Sequence, residues 1–481
     1  MQALVDFLNG ILWSNALIAL CLTAGIYFTV RSRFLQVRHF REMLRLLLCG
    51  KSSQAGVSSF QAFAMTISAR VGTGNIAGVA AAIAMGGPGA IFWMWVIAFF
   101  GSSSAYVESS LAQLYKEEKD GTFWGGPAFY IEKGLGQKWL AIVFSIAAIA
   151  SMGFLLPGIQ TNTMAAGFKV AFGVPEWGTG LFVTTLLGII IFGGVKRIAR
   201  AAEIMVPIMA AIYLIMAVLI IAVNISKVPA AFSLIISSAF GMHSLFGGIL
   251  GTAIAFGVKR GIYSNESGMG TGAFAAAAAQ TNHPAEQGFV QAFSVYVDTL
   301  LICTATALMI LLTGSYNVAN PAGGFIVENL KGIDYGSAYT QIAVDTLFSG
   351  FGRSFVAIAL FFFSFTTVLA SMYQSESSMS YVTTNKKIMV ALKTIMILVV
   401  FTGSIRETGL AWALGDIGIA LMAWQNIIII FLLQKPAFAM LDDYEIFLKK
   451  RKGNPDAKPD FNPRAYGIKN ATFWEQQYDK K

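Results

Sequence analysis

The amino-acid sequence predicts an all-α integral membrane protein of about eleven transmembrane helices, two of them discontinuous. Three observations carry that prediction. Of 481 residues, 56% are hydrophobic and only 12% are charged, where an ordinary soluble chain carries ~25% charged residues. Long apolar runs recur along the chain, and about 20 such residues are what a helix needs to cross ~30 Å of hydrocarbon. Two of the runs are interrupted by small and polar residues, Val71-Gly72-Thr73-Gly74-Asn75 and Tyr263-Ser264-Asn265-Glu266-Ser267-Gly268-Met269-Gly270. An unpaired backbone N–H or C=O in lipid costs several kcal/mol. A broken helix therefore persists there only where it is buried in protein or lines a water-filled cavity.

The predicted spans are 11–30, 60–85, 90–114, 139–167, 181–194, 201–223, 246–269, 288–312, 344–371, 388–401 and 410–433. The first nine residues carry Asp6 and no basic n-region, so the first span is expected to stay in the mature protein. Arg31, Arg33, Arg38, Arg41, Arg45 and Lys51 follow that span. Positive charge collects on the cytoplasmic side, so the N-terminus is expected outside. Eleven crossings then put the C-terminus inside, along with Lys196, Arg197, Arg200, Lys386, Lys387, Lys393 and the cluster at 449–452. This distribution accounts for the net charge of +9 without nucleic acid as a partner. The segment 115–138 reads as a Gly-rich cytoplasmic loop of mixed charge. The segment 224–244 reads as an outside connection with a surface helix over 232–240, and 315–342 as an outside loop. Residues 453–481, with Pro455, Pro459 and Pro463, read as a loosely ordered tail. The three Cys (Cys21, Cys49, Cys303) and three His are scattered without a zinc, haem or disulfide spacing. No Ser–His pair or metal-ligand cluster points to an enzyme.

The first interruption lies in the second span and the second in the seventh. They are five spans apart and opposite in direction, the layout of inverted five-helix repeats. The expected divisions are 1–58 for the first helix and its basic loop, 59–225 for one repeat, 226–434 for an outside connection and the second repeat, and 435–481 for a cytoplasmic tail. Paired broken spans in the two halves of a chain point to a solute and ion site, and so to a secondary transporter.

Gly72 and Gly74 permit unwinding and let a ligand approach the main chain. Unwinding frees N–H groups at the start of the next half-helix, which suit a carboxylate. The carbonyls just before the break suit a hard cation such as Na⁺, and Asn75 can add a side-chain oxygen. The plainer alternative is close helix packing through small residues. In the second break, Glu266 is a candidate proton partner, cation partner or gate, with Lys259 and Arg260 upstream indicating a wet, inward-opening surrounding. Asp298 needs a partner at its depth, either Na⁺ near Asn75 or a hydrogen bond to a neighbouring helix. Glu108 is a candidate ion-pair partner of Arg70, and Glu203 suits a helix N-terminus. Thr366 and Thr367 either complete a second Na⁺ site or bond back to their own helix. Thr367 and Ser371 share a face. Gln160, in a polar group with Thr161, Asn162 and Thr163, can hydrogen-bond a solute.

The segments 71–79 (VGTGNIAGV), 86–101 (GGPGAIFWMWVIAFFG), 125–130 (GGPAFY), 257–270 (GVKRGIYSNESGMG) and 365–376 resemble the alanine/glycine:cation symporter family. The likeness spans most of the chain up to residue 440. That family is similar in fold to the bacterial leucine transporter, whose first core helix also breaks at Gly-x-Gly-Asn. The resemblance implies Na⁺-coupled symport of a small neutral amino acid across the cell (inner) membrane by alternating access. No organic cofactor is implied, and a monomer is expected. It implies that Thr73, Gly74 and Asn75 meet the amino acid and that Gln160 lines its pocket. Ser264, Asn265, Thr367 and Ser371 complete the expected substrate contacts. Val71, Asn75, Asp298, Thr366 and Thr367 are the expected Na⁺ neighbours. Family members often carry an aromatic residue where this chain has Ser371, and some carry Gly where it has Ala370. A serine there enlarges and wets the pocket, which extends the expected substrates to serine or glutamine. The alternative is an H⁺-coupled amino acid carrier using Glu266 or Asp298.

Overall fold

A computed structural model of the chain describes residues 2–48, 56–119 and 121–480; Cys49 and Lys51 lie outside the described residues. Among the described residues, eight helices are long and apolar enough to cross a membrane, or nine when one bent pair is taken as a single span. After a first helix Gln2–Leu12, α1 (Asn15–Arg31) leads into the basic cluster. The bent pair is α2 (Ser59–Arg70), opened by a Ser58/Gln61 capping box, and the run Gly74–Gly86 that ends in α3 (Val79–Gly86); the two meet at 51°. Next come α4 (Gly89–Leu114) and a short helix α5 (Pro127–Leu135). Helix Lys138–Ala148 continues through a π-helical stretch into α6 (Leu156–Phe172), followed by α7 (Glu176–Ile191) and α8 (Gly194–Val223).

The second half begins with a helix over Val228–Ala239 and then α9 (Leu250–Asn265), which stops at Glu266 and resumes as α10 (Thr271–Ala278). The chain continues as α11 (Pro284–Val295), a π-helical stretch Tyr296–Cys303 and α12 (Thr304–Thr313). The last helices are α13 (Gly352–Val382), α14 (Lys386–Ser404), α15 (Thr408–Leu432) and α16 (Gln434–Gly453), with α17 (Thr472–Asp479) near the end.

Three expectations are corrected. The seventh span does not end at residue 269: its polar run is a central interruption, and the helix resumes for two further turns as α10. Lys259 and Arg260 do not line a wet inner surface. Both lie in the half-helix before the break and pair with Asp416 of α15, at 2.6 Å and 3.0 Å. The Trp13 indole donates to the Asp416 carbonyl there, at the opposite end of the first span from the Arg31 cluster. Finally, the expected loose tail is ordered over residues 453–480. Phe461 and Trp474 are buried, and the Trp474 indole donates to the Gln113 carbonyl at 2.7 Å. Proline content misled there, because two aromatic side chains can anchor a polar segment.

One end of the molecule gathers the basic cluster, the start of α2, the end of α10 and the tail. Arg38 pairs with Glu445 and Arg451 with Glu42. Val57 and Ala279 bridge the start of α2 and the end of α10, with the Val57 N–H donating to the Ala278 carbonyl at 3.0 Å. The Lys116 ammonium donates to the Ala279 carbonyl and lies over the rings of Phe123, Phe473 and Trp474. Burial pushes its pKa down to about 7.

Candidate functional site

The main-chain N–H groups freed at the first break are held by neutral side chains. Arg70 ends α2 and Val71 leaves the helical angles. The Gly72 N–H, left without a helical acceptor, donates to the Asn75 side-chain oxygen at 2.9 Å, and the Thr73 N–H donates to Gln160 Oε1 of α6 at 3.0 Å. The Thr73 and Ser364 hydroxyls are 3.0 Å apart. Thr367 of α13 donates to the Ser68 carbonyl at 3.0 Å, with the Val71 carbonyl at 3.5 Å. A Cβ on Gly72 would sit 2.4 Å from Thr367 Oγ1 and 3.0 Å from Gln160 Oε1. Only glycine lets α6 and α13 close on the main chain here.

The two breaks touch. A Cβ on Gly74 would lie 3.1 Å from the Tyr263 ring and 3.2 Å from Ser264 Cα. Beside that contact Asp298 gathers donors from both broken helices: Asn75 Nδ2 at 2.7 Å, Ser264 Oγ at 2.9 Å and its neighbour Thr299 Oγ1 at 2.7 Å. Cys303 completes the group, 3.3 Å from Asn75 Nδ2 and 3.2 Å from Ser264 Oγ. Asn265 reaches Thr299 at 3.3 Å and accepts from Ser267 N–H at 3.0 Å. The π-helical stretch at 296–303 carries both Asp298 and Cys303 toward the breaks.

The second break departs further from helix. Glu266, Gly268 and Gly270 all have positive φ, at 52°, 83° and 86°, and the value at Glu266 is uncommon for a residue with a side chain. Glu266 is buried, and among the described residues its Oε2 has no partner at full hydrogen-bond geometry, with the Thr271 hydroxyl as its nearest donor. Glu108 of α4 accepts from the Gly270 N–H at 2.9 Å and from Asn426 Nδ2 of α15 at 3.0 Å. Asn426 Nδ2 also donates to the Gly268 carbonyl at 2.9 Å. On the other side of Tyr263, Arg260 forks onto both Asp416 oxygens at 3.0 Å and 3.1 Å and stacks on the Trp412 ring, 4.5 Å from its centre. This bidentate, aromatic-backed pair closes α9 against α15.

The whole chain is similar to known carriers. The model of the sodium:alanine symporter family matches residues 1–459. The chain belongs to the sodium:alanine symporter family. It is 53% identical to the sodium/proton-dependent alanine carrier protein of Bacillus sp. strain PS3, covering 91% of this chain and 98% of that protein. It is 42% identical to a Bacillus subtilis protein assigned as a sodium/glutamine symporter, covering 92% and 91%. Among solved structures, a Na⁺-coupled sialic acid symporter overlays at 13% identity and a TM-score of 0.47, covering 98% of this chain and 96% of that one.

Within this family member, Thr73, Gly74, Asn75, Gln160 and Thr367 gather at the first break, and Ser264, Asn265, Asp298 and Asn75 at the junction of the two. The Val71 carbonyl faces Thr367. Ser371 is buried one turn beyond Thr367. Thr366 is not brought to the group: its hydroxyl donates to Phe362 and Phe363 of its own helix, 3.9 Å from the Met209 sulfur of α8. Glu203 takes Gln61 and Arg200 as partners. Arg70 does not pair with Glu108; its Nη1 donates to the Gln291 carbonyl and Ser294 Oγ. Asp416, Asn426 and Tyr130 went unread in the sequence. Asp416 lies inside an apolar span, the same signal that marks Asp298.

Proposed function

We propose that this chain is a Na⁺-coupled carrier of a small neutral amino acid that works by alternating access across the cell membrane. The observation that carries the reading is the convergence of oxygens at the first break. The Thr367 hydroxyl lies 3.0 Å from the Ser68 carbonyl and 3.5 Å from the Val71 carbonyl, joining α2 to α13. Main-chain and hydroxyl oxygens of this kind suit a hard cation. The N–H groups of Gly72 and Thr73 point at the oxygens of Asn75 and Gln160. A substrate carboxylate would take over those donors, and the positive end of the following half-helix favours it. Asp298, Asn75 and Ser264 form a second acidic position for a cation or the substrate ammonium. The Arg260–Asp416 pair would form the outer lid.

This reading includes eleven crossings, adding Glu176–Ile191 and the broken pair Leu250–Asn265 and Thr271–Ala278 to the longer helices. Residues 59–225 and 226–434 are read as inverted repeats, with the N-terminus outside and the tail in the cytoplasm. Binding of Na⁺ would order the unwound main chain for the amino acid. By linkage the amino acid would tighten Na⁺ by the same factor. A second reading couples transport to protons at Asp298 or Glu266; the burial of the Glu266 carboxyl inside the second break favours it, and the PS3 relative is named for both ions.

The test is uptake of labelled alanine, glycine, serine and glutamine into proteoliposomes. Uptake driven by an inward Na⁺ gradient at equal pH is expected. Uptake driven only by a pH gradient in Na⁺-free buffer would transfer coupling to the proton. Indifference to both gradients would end the carrier reading.

A further inference from the structure

We infer that Tyr130 and Asn426 are positioning residues that set the geometry of the second break through Glu108. The inference rests on the Na⁺-coupled reading above. Tyr130 sits in α5, the short helix on the loop between α4 and the following long helix, and is fully buried. Its hydroxyl donates to Asn426 Oδ1. The other end of that amide donates to both Glu108 Oε2 and the Gly268 carbonyl, at 3.0 Å and 2.9 Å. Glu108 Oε2 in turn accepts the Gly270 N–H at 2.9 Å.

An amide side chain has a donor end and an acceptor end of nearly the same shape. Reversed, Asn426 would set its oxygen against a carboxylate and a carbonyl. In the observed orientation its oxygen is buried and needs a donor, which Tyr130 alone supplies among the described residues. The relay therefore runs from the loop helix through α15 to α4 and ends on the main chain of the break. Pro127, which opens α5, abuts the same point: a Cβ on Gly270 would lie 2.6 Å from its Cγ. Glu266, Gly268 and Gly270 leave the helical path, and beyond the Glu266 and Met269 N–H bonds to the main chain the stretch is held by side chains from α4 and α15. Upstream, this path fixes where Ser264 and Asn265 meet Asp298 and Thr299.

The experiment is Na⁺-driven alanine uptake by the full-length carrier in proteoliposomes, normalised to folded protein. Tyr130→Phe removes one hydroxyl and keeps the ring. It is expected to raise the Na⁺ concentration for half-maximal uptake by about five-fold, the worth of one net hydrogen bond. The alanine half-saturation at saturating Na⁺ is expected to move less than the Na⁺ dependence, whereas a general packing defect would move both alike. In an Asn426→Ala background, Tyr130→Phe is expected to add nothing. An unshifted Na⁺ dependence in Tyr130→Phe, or an added loss in the double variant, overturns the relay. Should Asn426→Ala fail to fold, the single Tyr130→Phe measurement decides. A wild-type carrier indifferent to Na⁺ would instead overturn the proposed coupling, so the two failures are distinct.

Discussion

The two broken helices solve the same physical problem by different means. At the first break, orphaned N–H groups turn to neutral side-chain oxygens from Asn75 and Gln160. At the second, the Gly270 N–H turns to a carboxylate, Glu108, itself held by the Asn426 amide, whose oxygen accepts from the Tyr130 phenol. A neutral hydrogen bond has a small net worth, about 1 kcal/mol, and can be exchanged for a ligand's. A buried carboxylate carrying two donors is costly to disturb. The difference supports the proposed reading, in which main-chain contacts are traded at the first break and the second serves as the frame.

Glu108→Ala should break that contrast most severely. It orphans the Gly270 N–H and one bond of Asn426, at about 1–3 kcal/mol for each buried donor. It also takes away the carboxylate that shares the Gly272 surroundings with the Arg70 guanidinium. The expected outcome is a thermal midpoint in detergent lowered by several degrees, with transport lost alongside. A variant that keeps its midpoint would deny the second break its role as frame.

Gly72→Ala should come next and act on the other side of the comparison. Its Cβ would fall 2.4 Å from Thr367 Oγ1, an overpacking of about 1–3 kcal/mol. Transport should fall by about 5- to 150-fold by that measure, while the midpoint moves less than in Glu108→Ala. Equal damage to stability in both variants would erase the distinction between the breaks.

The sequence was readable where depth alone decides and unreadable where partners decide. Helix breaks, buried Asp298 and the small residues at 72 and 74 follow from the cost of bare polar groups in lipid. Which atoms meet does not follow. Glu108 and Asn426 are 318 positions apart in the chain and bond at 3.0 Å; no local spacing encodes that meeting. Lys259 and Arg260 were assigned to the wrong surroundings for the same reason, since their partner Asp416 lies on a distant helix. The fold of the tail depended on Phe461 and Trp474 finding a buried seat, another long-range fact.

Thr366 and Thr367 give the finest test, because they are adjacent and chemically identical. A helix turns 100° per residue, so only one of the two can face the first break. Thr367 does, donating to the Ser68 carbonyl across to α2, while Thr366 donates to Phe362 and Phe363 beside Met209. Thr367→Val keeps the shape and removes the hydroxyl. It is expected to raise the Na⁺ concentration for half-maximal uptake by about five-fold, near 1 kcal/mol. Thr366→Val removes a hydroxyl that bonds back to its own helix and otherwise meets the Met209 sulfur at 3.9 Å. Thr367 instead adds the Ser68 carbonyl to its own back-bond to Phe363. In Thr366→Val both uptake and midpoint should therefore stay within about 0.5 kcal/mol of wild type. Equal responses would mean that the cation does not sit between α2 and α13. A larger response at Thr366 would move it to the α8 side of the helix, because a single residue step separates those two faces.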